Sequence, residues 1–536
     1  MSASREKKDR KDMASSGIID CRNEERRRQD KKDKRTTTMY IAIIAAMIVV
    51  FILCSLYNNQ NFRKNMTAVT VDGTHYSAAV LDFYYYSAYN SFVNNYGDYL
   101  SYIGLDTSKD LKDQNYSEDE TWDEYFRDQA VTSLIGAAAV YKQAQAAGFT
   151  LTDDQQSQID SYYSSIEDYC TSAGITFEDY VHDIFGKYVS EDIFKEQTEI
   201  SYIAQLYNTE YKNSLTYTDD DIQTYYSENS KDIDNVSYEI YTADGSAAST
   251  TDSDGNSVDP TDDEKTAAMS AASDTANAIL ARLEAGDDFA TVAADYDSAS
   301  YSAETDTSYS TAGATIGDWL FDDSRAAGDT TVIEDTDKSC YYVLKFESRG
   351  RSEYDTVNVR HILIEPETTT LSSDDAGYDA DVVAKKAAAK AKAESVLAEY
   401  LAGDKTADAF GALAEKYSSD TGSSSDGGLY ENVYKGQMET AFNDWCFDSS
   451  RKTGDTGIVE TNYGYHVMYF VSTGDPYWMV QSENALRDKD YNSWYSDITT
   501  KGVHKSFLGM KCIGGSLSSS SSNSTSSSSS SSSSAS

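Results

Sequence analysis

One stretch of sequence occurs twice in this chain, and the repeat limits the possible folds more than any other feature. Residues 317–330 read GDWLFDDSRAAGDT, and residues 443–456 return as NDWCFDSSRKTGDT. A match of this length between two segments of one chain indicates that the same structural unit occurs twice. We therefore predict two tandem copies of one domain, at 236–350 and at 354–474.

Each copy alternates segments typical of strands with a segment typical of a helix. In the second copy, β-branched and aromatic residues fill 357–364 and 465–471, and a helix-forming stretch covers 376–401. β-branched and aromatic residues fit pleated strands, whereas Ala, Lys and Glu favour helices. The pattern predicts an α+β fold for each copy.

The rest of the chain has other patterns. Residues 66–235 contain long stretches with apolar residues at helical spacing, which predict a helical domain. A further helical segment is predicted within 476–514, where it could return to pack on the N-terminal helices. Residues 515–536 are mostly serine and cannot build a core, so we expect a disordered tail.

An uncharged apolar run at 39–57 has the length needed to cross a hydrocarbon core of about 30 Å. It follows a basic segment, 1–38, and such a flank stays in the cytoplasm. We predict an uncleaved transmembrane helix with the bulk of the chain outside the cell membrane. A cleaved signal peptide is the alternative, but no small-residue site follows the run. Lipidation at Cys54 is disfavoured by the bulky Leu53 before it.

The net charge of −44 is unevenly distributed, because residues 1–38 carry +5 and the remainder carries −49. A strongly acidic surface repels a phosphate backbone, so nucleic acid is excluded as a partner. The six cysteines are scattered, without a C-x-x-C pair or histidines nearby. We therefore predict neither a metal site nor a disulfide framework, although pairing among the cysteines beyond the membrane run stays open. No cofactor is implied.

The second copy contains several short segments with candidate functional residues. It contains VRHILI at 359–364, SSD at 418–420, Gly-Gly at 427–428, GQM at 436–438 and GYHV at 464–467. In this order and spacing the segments resemble the parvulin family of peptidyl-prolyl cis-trans isomerases, over roughly 120 residues. The wider layout, with an anchor, a helical region and a returning helix, resembles the PrsA-like and SurA-like foldases and chaperones.

The resemblance implies roles for particular residues. His361 and His466 match the paired histidines of the family, and Asp420 matches a position held by Cys or Asp. Met438 and Phe442 match the pocket for the proline ring. The resemblance thus implies that the catalytic residues are His361, Asp420 and His466. It implies that the substrate-binding residues are Met438, Phe442, Gln437 and Tyr463.

The strand pattern adds an independent argument for the histidines. Alternation puts His361 on the same face as Val359 and Leu363, so it should point inward, where a polar ring needs a partner. Two imidazoles in contact satisfy each other if one donates and the other accepts. A structural pair that only stiffens the sheet is the alternative, and it stays open. Asp420 has no proton to remove from a prolyl substrate, so an electrostatic role is expected.

The chain departs from the family in places. The family often has Gly-Gly-Asp-Leu-Gly, whereas here Gly427-Gly428 runs into Leu429, Tyr430 and Glu431, so the strand lining the site could differ. Tyr463 stands where some members have a small hydroxyl residue, and it could narrow the pocket.

The loop after His361 carries acidic residues and no basic cluster, which argues against a phosphate-directed specificity. In the first copy Ile240, Ala299 and Tyr342 stand for His361, Asp420 and His466. That copy is therefore predicted to be degenerate and without catalysis.

The leading hypothesis is a peptidyl-prolyl isomerase that assists the folding of secreted or surface proteins outside the membrane. Its partners would be unfolded or partly folded polypeptides with X-Pro bonds. The alternative is a non-catalytic chaperone that holds unfolded chains on a parvulin scaffold. A surface interaction protein that reuses the fold is a third hypothesis.

Overall fold

The computed structural model describes residues 38–50, 65–253 and 255–514, with a few isolated positions before residue 38. The predicted membrane run is helical as far as residue 50, and its remainder lies outside the described residues, as does the serine tail. Most of the basic segment also lies outside them. Among the helices that are described, none combines the length and the apolar character needed to cross a membrane.

Both α-helices and β-strands are present from residue 67 onward, so the prediction of an α+β fold is confirmed. The strands are β1 (Thr67–Val71), β2 (Thr74–Ser77), β3 (Asn235–Asp244), β4 (Thr250–Thr251), β5 (Ser257–Val258), β6 (Tyr301–Ser308), β7 (Thr330–Asp335), β8 (Cys340–Gly350), β9 (Asp355–Ile364), β10 (Leu429–Val433), β11 (Thr456–Thr461), β12 (Gly464–Pro476) and β13 (Val503–Lys505). The helices are α1 (Ala78–Tyr96), α2 (Trp122–Ala147), α3 (Asp153–Ala173), α4 (Phe177–Phe185), α5 (Glu191–Ser214), α6 (Asp219–Glu228), α7 (Ser230–Ile233), α8 (Asp262–Glu284), α9 (Phe289–Ala294), α10 (Tyr309–Leu320), α11 (Tyr378–Ala402), α12 (Ala407–Tyr417), α13 (Thr440–Cys446), α14 (Tyr477–Thr500) and α15 (Phe507–Met510).

The chain divides into two compact units, Met1–Ser214 with Asp490–Ser536, and Leu215–Lys489. In the first unit, local sequence explains where the helices begin and end. Thr121 and Thr152 each form a capping box with the residue three positions later, which starts α2 and α3. Each of these helices ends at a glycine in the left-handed conformation.

The core of the first unit is rich in aromatic rings. The ring of Tyr85 on α1 lies 6.2 Å from that of Phe126 on α2, and Phe83 lies 6.1 Å from Phe194 on α5, between centroids. Trp494 of α14 stacks on Tyr211 of α5, with ring centroids 3.9 Å apart.

Residues 476–514 contain the helix α14, and after it the chain forms the strand β13 and the short helix α15. β13 pairs antiparallel with β1, which also pairs with β2, so the strand order is β13-β1-β2. Ile513 then lies fully buried in the aromatic core, and the Gly514 amide donates to Asp82 at 2.7 Å. The end of the described chain thus completes the fold of the first unit.

The second unit contains two four-stranded antiparallel sheets with the same topology. Their orders are β6-β3-β8-β7 and β10-β9-β12-β11. Tyr342 lies opposite Thr242 in the first sheet, as His466 lies opposite Leu363 in the second. The sequence repeat is therefore also a structural repeat. The pairing of strands in the two sheets shows that Tyr342 occupies the position in the first repeat that His466 occupies in the second.

The second sheet is buried on both faces, which gives the site a rigid base. On one face Ile362, Val467 and Tyr469 pack under α11 and α12. On the other face Val359 and Met468 pack with residues of α13. Because side chains alternate along a strand, His361 lies on the α13 face. The described cysteines, Cys170, Cys340, Cys446 and Cys512, are all buried, and no disulfide joins any two of them.

Candidate active site in the second repeat

A cavity of about 380 Å³ opens on the α13 face of the second sheet. Its walls come from β9, β10, β11, β12, α13 and the segments that precede α13 and follow α12. The lining residues are His361, Leu363, Asp420, Tyr430, Gln437, Met438, Glu439, Phe442, Thr461, Tyr463 and His466. All seven residues predicted from the sequence are among them.

The two histidines are diagonal neighbours on the central strands. His361 of β9 lies opposite Met468, and His466 of β12 lies opposite Leu363, so both rings project from the same face. Their Nδ1 atoms are 3.0 Å apart, and the rings are nearly parallel at a centroid distance of 5.2 Å. The exposed fractions of the two residues are only 3% and 6%.

Asp420 reaches the pair from the loop after α12. Main-chain and side-chain hydrogen bonds between Ser418, Ser419 and Leu363 fasten this loop to β9. The Oδ2 atom of Asp420 then lies 2.7 Å from Nε2 of His361. The loop is held by the same strand that carries the histidine, so the contact is fixed by local geometry.

Four donors surround the Asp420 carboxylate. Besides His361, the hydroxyls of Ser423 and Tyr430 donate to Oδ2 at 2.5 and 2.9 Å, and the amide of Gly422 donates to Oδ1 at 3.1 Å. Partial burial acts to raise the pKa of Asp420, but the hydrogen bonds from Ser423, His361 and Tyr430 outweigh it and hold the pKa at about 2. The carboxylate is therefore ionised near neutral pH and is only a weak proton acceptor.

The ionised carboxylate fixes the protons on both imidazoles. Because Asp420 only accepts, Nε2 of His361 carries a proton, and its Nδ1 is left as an acceptor in the neutral ring. His466 must then donate from Nδ1, so its Nε2 accepts from the Thr461 hydroxyl at 2.8 Å. Thr461, His466, His361 and Asp420 thus form one row of hydrogen bonds in which every proton points toward the carboxylate.

Both rings are neutral near neutral pH. Burial lowers the pKa of His466 to about 4, and repulsion from His361 adds to this effect. Burial also lowers the pKa of His361, and the attraction of Asp420 does not compensate. A neutral pair is the protonation state that the row of hydrogen bonds requires.

The opposite wall of the cavity is apolar. Phe442 of α13 presents itself edge-on to both imidazoles, with ring centroids 5.5 Å from His361 and 5.4 Å from His466. Met438 is half-buried and packs in the same cluster as Phe442. Apolar and polar side chains therefore line the same cavity.

Gln437 and Tyr463 lie at the edge of the cavity. The Gln437 side-chain oxygen accepts from the Tyr434 amide at 3.0 Å, which closes the turn before Met438. Tyr463 has an exposed fraction of 62%, and its amide donates to the Thr461 hydroxyl at 3.2 Å. Neither residue belongs to the row of hydrogen bonds through the histidines.

Gly428 permits the close approach of β10 to β9 beside the site. Its φ is +73°, and a Cβ atom there would collide with the carbonyl oxygen of His361. Its own carbonyl accepts from the His361 amide at 2.8 Å. Only glycine combines this conformation with this contact.

Sequence reasoning missed three members of the polar network, which are Ser423, Tyr430 and Thr461. In the sequence, Tyr430 stands out only as a departure from the family pattern. Ser423 and Thr461 carry hydroxyls, which are common in any chain, so nothing in the sequence distinguished them.

The first repeat lacks this network. Tyr342 is in the position of His466, and its hydroxyl lies 3.3 Å from Lys338 and 3.5 Å from Asp335. Ile240 occupies the position of His361. Within the described part of the chain, no group of three or more His, Cys, Asp or Glu side chains is arranged to hold a metal ion.

Comparison with known families agrees with the geometry. The family model of the PPIC-type PPIase domain matches residues 341–472, a range that includes every predicted site residue. These residues form a parvulin-type domain. It occupies the second repeat together with the last strand of the first.

Curated relatives resemble this chain over part of their length. The foldase protein PrsA of Latilactobacillus sakei subsp. sakei (strain 23K) is 30% identical over 146 residues, which are 27% of this chain and 40% of that protein. Foldase protein PrsA 1 of Listeria innocua serovar 6a is 30% identical over 129 residues, which are 23% of this chain and 35% of that protein. The chain thus spans less than half the length of these relatives.

Among solved structures, the crystal structure of PrsA from Bacillus subtilis is similar over 72% of this chain and 89% of that chain. The sequence identity is 14% and the TM-score is 0.28.

Proposed function

We propose that the parvulin-type domain is a peptidyl-prolyl cis-trans isomerase that acts on X-Pro bonds in unfolded or partly folded polypeptides. One observation supports this proposal above all others. A single cavity joins an apolar wall, Met438 and Phe442, to a row of neutral, fully hydrogen-bonded imidazoles. The first wall fits the hydrocarbon ring of proline, and the second provides a rigid polar surface beside the amide.

The reaction needs no covalent step. Rotation about the prolyl amide has a barrier of about 20 kcal/mol, because resonance is lost when the bond twists. The planar amide has the larger dipole, so transfer from water into a partly apolar cavity disfavours the planar form more than the twisted one. Met438 and Phe442 would hold the proline ring while the preceding residue rotates.

His361, Asp420 and His466 would act by position and electrostatics. Their hydrogen-bonding groups are already satisfied by one another, so no proton needs to be exchanged with the substrate. A surface that is organised before the substrate arrives does not have to reorganise in the transition state. In this proposal the carboxylate orients the imidazoles and sets their tautomers.

The charges around the cavity suggest which substrates are excluded. Among the lining residues the ionisable carboxylates are Asp420 and Glu439, and none of the lining residues is Lys or Arg. A phosphorylated residue before proline would meet no cationic partner there. We therefore propose unmodified polypeptides as substrates.

The same chain would work outside the cytoplasmic membrane. The support is the uncharged run at 39–57 after a basic segment, which fits a single-pass anchor with a cytoplasmic N-terminus. Relatives of similar sequence are named foldase proteins, which agrees with client polypeptides as partners.

A non-catalytic holding function is the second candidate, and a groove in the first unit favours it. This groove has a volume of about 550 Å³ and lies among α1, α2, α5 and the last part of α14. Its lining includes the apolar residues Phe83, Ala137 and Ala204 together with polar residues such as Ser133 and Asn208. Such a surface could bind apolar segments of an unfolded chain whether or not the parvulin-type domain is active.

The deciding experiment is a prolyl isomerisation assay on the purified full chain. We expect catalysis by the wild type, with strong loss in His466→Ala and Met438→Ala. Met269→Ala is a matched control, because Met269 is also half-buried but lies in the first repeat. A well-folded wild type that does not accelerate the reaction would contradict the isomerase proposal and leave the holding function.

A further inference from the structure

Tyr430 contacts both chemical parts of the candidate site. Its hydroxyl donates to Oδ2 of Asp420 at 2.9 Å. Its ring is nearly parallel to that of His361, with centroids 5.1 Å apart and an interplanar angle of 30°. It also packs in the cluster that contains Met438 and Phe442. One side chain therefore contacts the carboxylate, an imidazole and the apolar wall.

We propose that Tyr430 is a positioning residue of the isomerase, whose hydroxyl fixes the Asp420 carboxylate and whose ring fixes the plane of His361. This inference rests on the proposed function for its catalytic consequence. Its structural part, the control of Asp420 and His361, does not depend on that function.

The placement of Tyr430 explains why it can do this. It lies on β10, directly opposite Val359, which is two residues before His361 on β9. Gly427 and Gly428 precede β10 and bring it against β9 beside that histidine. The tyrosine is thus held by the strand pairing that also holds the histidine.

The hydroxyl is a permanent donor. Burial raises the pKa of Tyr430, and the hydrogen bond to Asp420 raises it further, so the phenol keeps its proton over the working range. An apolar residue at this position could pack equally well against Met438. It would leave Asp420 with donors from His361, Ser423 and Gly422 only.

The loss of one donor changes the electrostatics of the row in a defined direction. A carboxylate with fewer donors is less stabilised, so its pKa rises. It also attracts a protonated His361 more strongly, so the pKa of His361 rises as well. A tyrosine that merely fills space would produce neither change when only its hydroxyl is removed.

The test uses the full chain with two substitutions at this position. Tyr430→Phe removes the hydroxyl and keeps the ring, whereas Tyr430→Leu removes both. Tyr417→Phe is the matched control, because the Tyr417 hydroxyl donates to the Glu399 carboxylate at 3.0 Å on the helical side of the same domain. Isomerisation kinetics and NMR titration of the His361 ring are measured for each protein.

We expect kcat of Tyr430→Phe to fall by about tenfold with KM within about twofold, since one hydrogen bond to a charged group is lost and the apolar wall remains. The His361 titration should move to higher pH. Tyr430→Leu should lose at least as much in kcat and also change KM. Tyr417→Phe should match the wild type in kinetics and in the titration.

Two results would overturn the inference in ways that can be told apart. If the wild type is active and Tyr430→Phe keeps its kcat and its His361 titration, Tyr430 only fills space. If the wild type is inactive, the isomerase proposal fails, but a shifted His361 titration in Tyr430→Phe would still establish the positioning role. An unshifted titration in that case would remove both.

Discussion

His466 donates its Nδ1 proton to Nδ1 of His361 across 3.0 Å, and this contact links the donor Thr461 at one end of a row of hydrogen bonds to the acceptor Asp420 at the other. An imidazole that donates from one nitrogen must accept at the other when it is neutral. Each member of the row therefore depends on its neighbours for its proton position.

The far end of the row should be sensitive to loss of the Thr461 hydroxyl. Thr461→Val keeps the shape of the side chain but leaves Nε2 of His466 buried without its donor. We expect the free energy of unfolding of this domain to fall by about 1–3 kcal/mol, measured by urea unfolding. Thr456→Val, at a half-buried position on the same strand, is the control and should cost less. Equal losses in both variants would contradict the row of hydrogen bonds.

The buried His466 should make stability depend on pH. Its pKa is about 4 in the folded protein, against about 6.5 in an unfolded chain. Between these two pKa values the unfolded state binds a proton that the folded state does not, so the free energy of unfolding decreases as the pH falls from about 6.5 to about 4. Below the lower value both states are protonated, and His466 causes no further decrease.

We expect the free energy of unfolding of the wild type to drop between pH 7 and pH 4 by on the order of 2–3 kcal/mol more than that of His466→Asn. Hydrogen exchange of the β12 amides measures the difference in this domain. Parallel pH dependences in the two proteins would show that His466 titrates normally.

Gly428 should not tolerate a side chain. Gly428→Ala would place a methyl group against the His361 carbonyl in a backbone conformation with φ of +73°. We expect a loss of more than about 2 kcal/mol in stability, because a left-handed conformation and a collision are combined. Gly436→Ala shares the positive φ but has open space around it, so it isolates the cost of the conformation. Similar losses for both glycines would remove the argument from close approach.

The first unit should depend on the segment after α14. Ile513 is fully buried in its aromatic core, so Ile513→Ala should destabilise that unit by about 2–5 kcal/mol. Leu508→Ala removes a side chain with an exposed fraction of 60% in the same segment and should have little effect. Denaturant unfolding combined with limited proteolysis of the N-terminal helices would detect the change. The proposed isomerase activity of the parvulin-type domain should persist in both variants.

Membrane orientation can be tested with intact cells that express the full chain with an epitope tag before residue 1. External protease should degrade the bulk of the chain and leave a short tagged fragment that includes the basic segment and the run at 39–57. Complete protection of the chain would contradict an extracytoplasmic location. Complete loss of the tag would contradict a cytoplasmic N-terminus.

Much of the architecture could be predicted from local sequence. Thr121 and Thr152 are the N-caps of α2 and α3, and each threonine precedes a Glu or Gln by three residues, which is a sequence pattern typical of a helix start. The internal repeat predicted two equivalent units, and the two sheets have equivalent strand orders. These features depend on residues that are close together in the chain, so they can be predicted from sequence patterns.

The site was predicted in part. His361, Asp420, Met438, Phe442 and His466 were found because they occur in segments that resemble a known family. The partners Ser423, Tyr430 and Thr461 belong to no such segment, and hydroxyl residues are too common to be selected by type. Their roles depend on distances that arise only when β9, β10 and β11 are brought together.

The sequence by itself determined the repeat, the helical character of residues 66–235 and the identity of the groups that could do chemistry, because these follow from residue type and spacing along the chain. Only the tertiary structure decided that β13 completes the N-terminal hairpin, that His466 donates to His361, and that Tyr430 contacts Asp420. Strand pairing and hydrogen bonding between distant segments depend on how buried surfaces fit together. No local pattern encodes that fit, so these contacts could be recognised only in the folded chain.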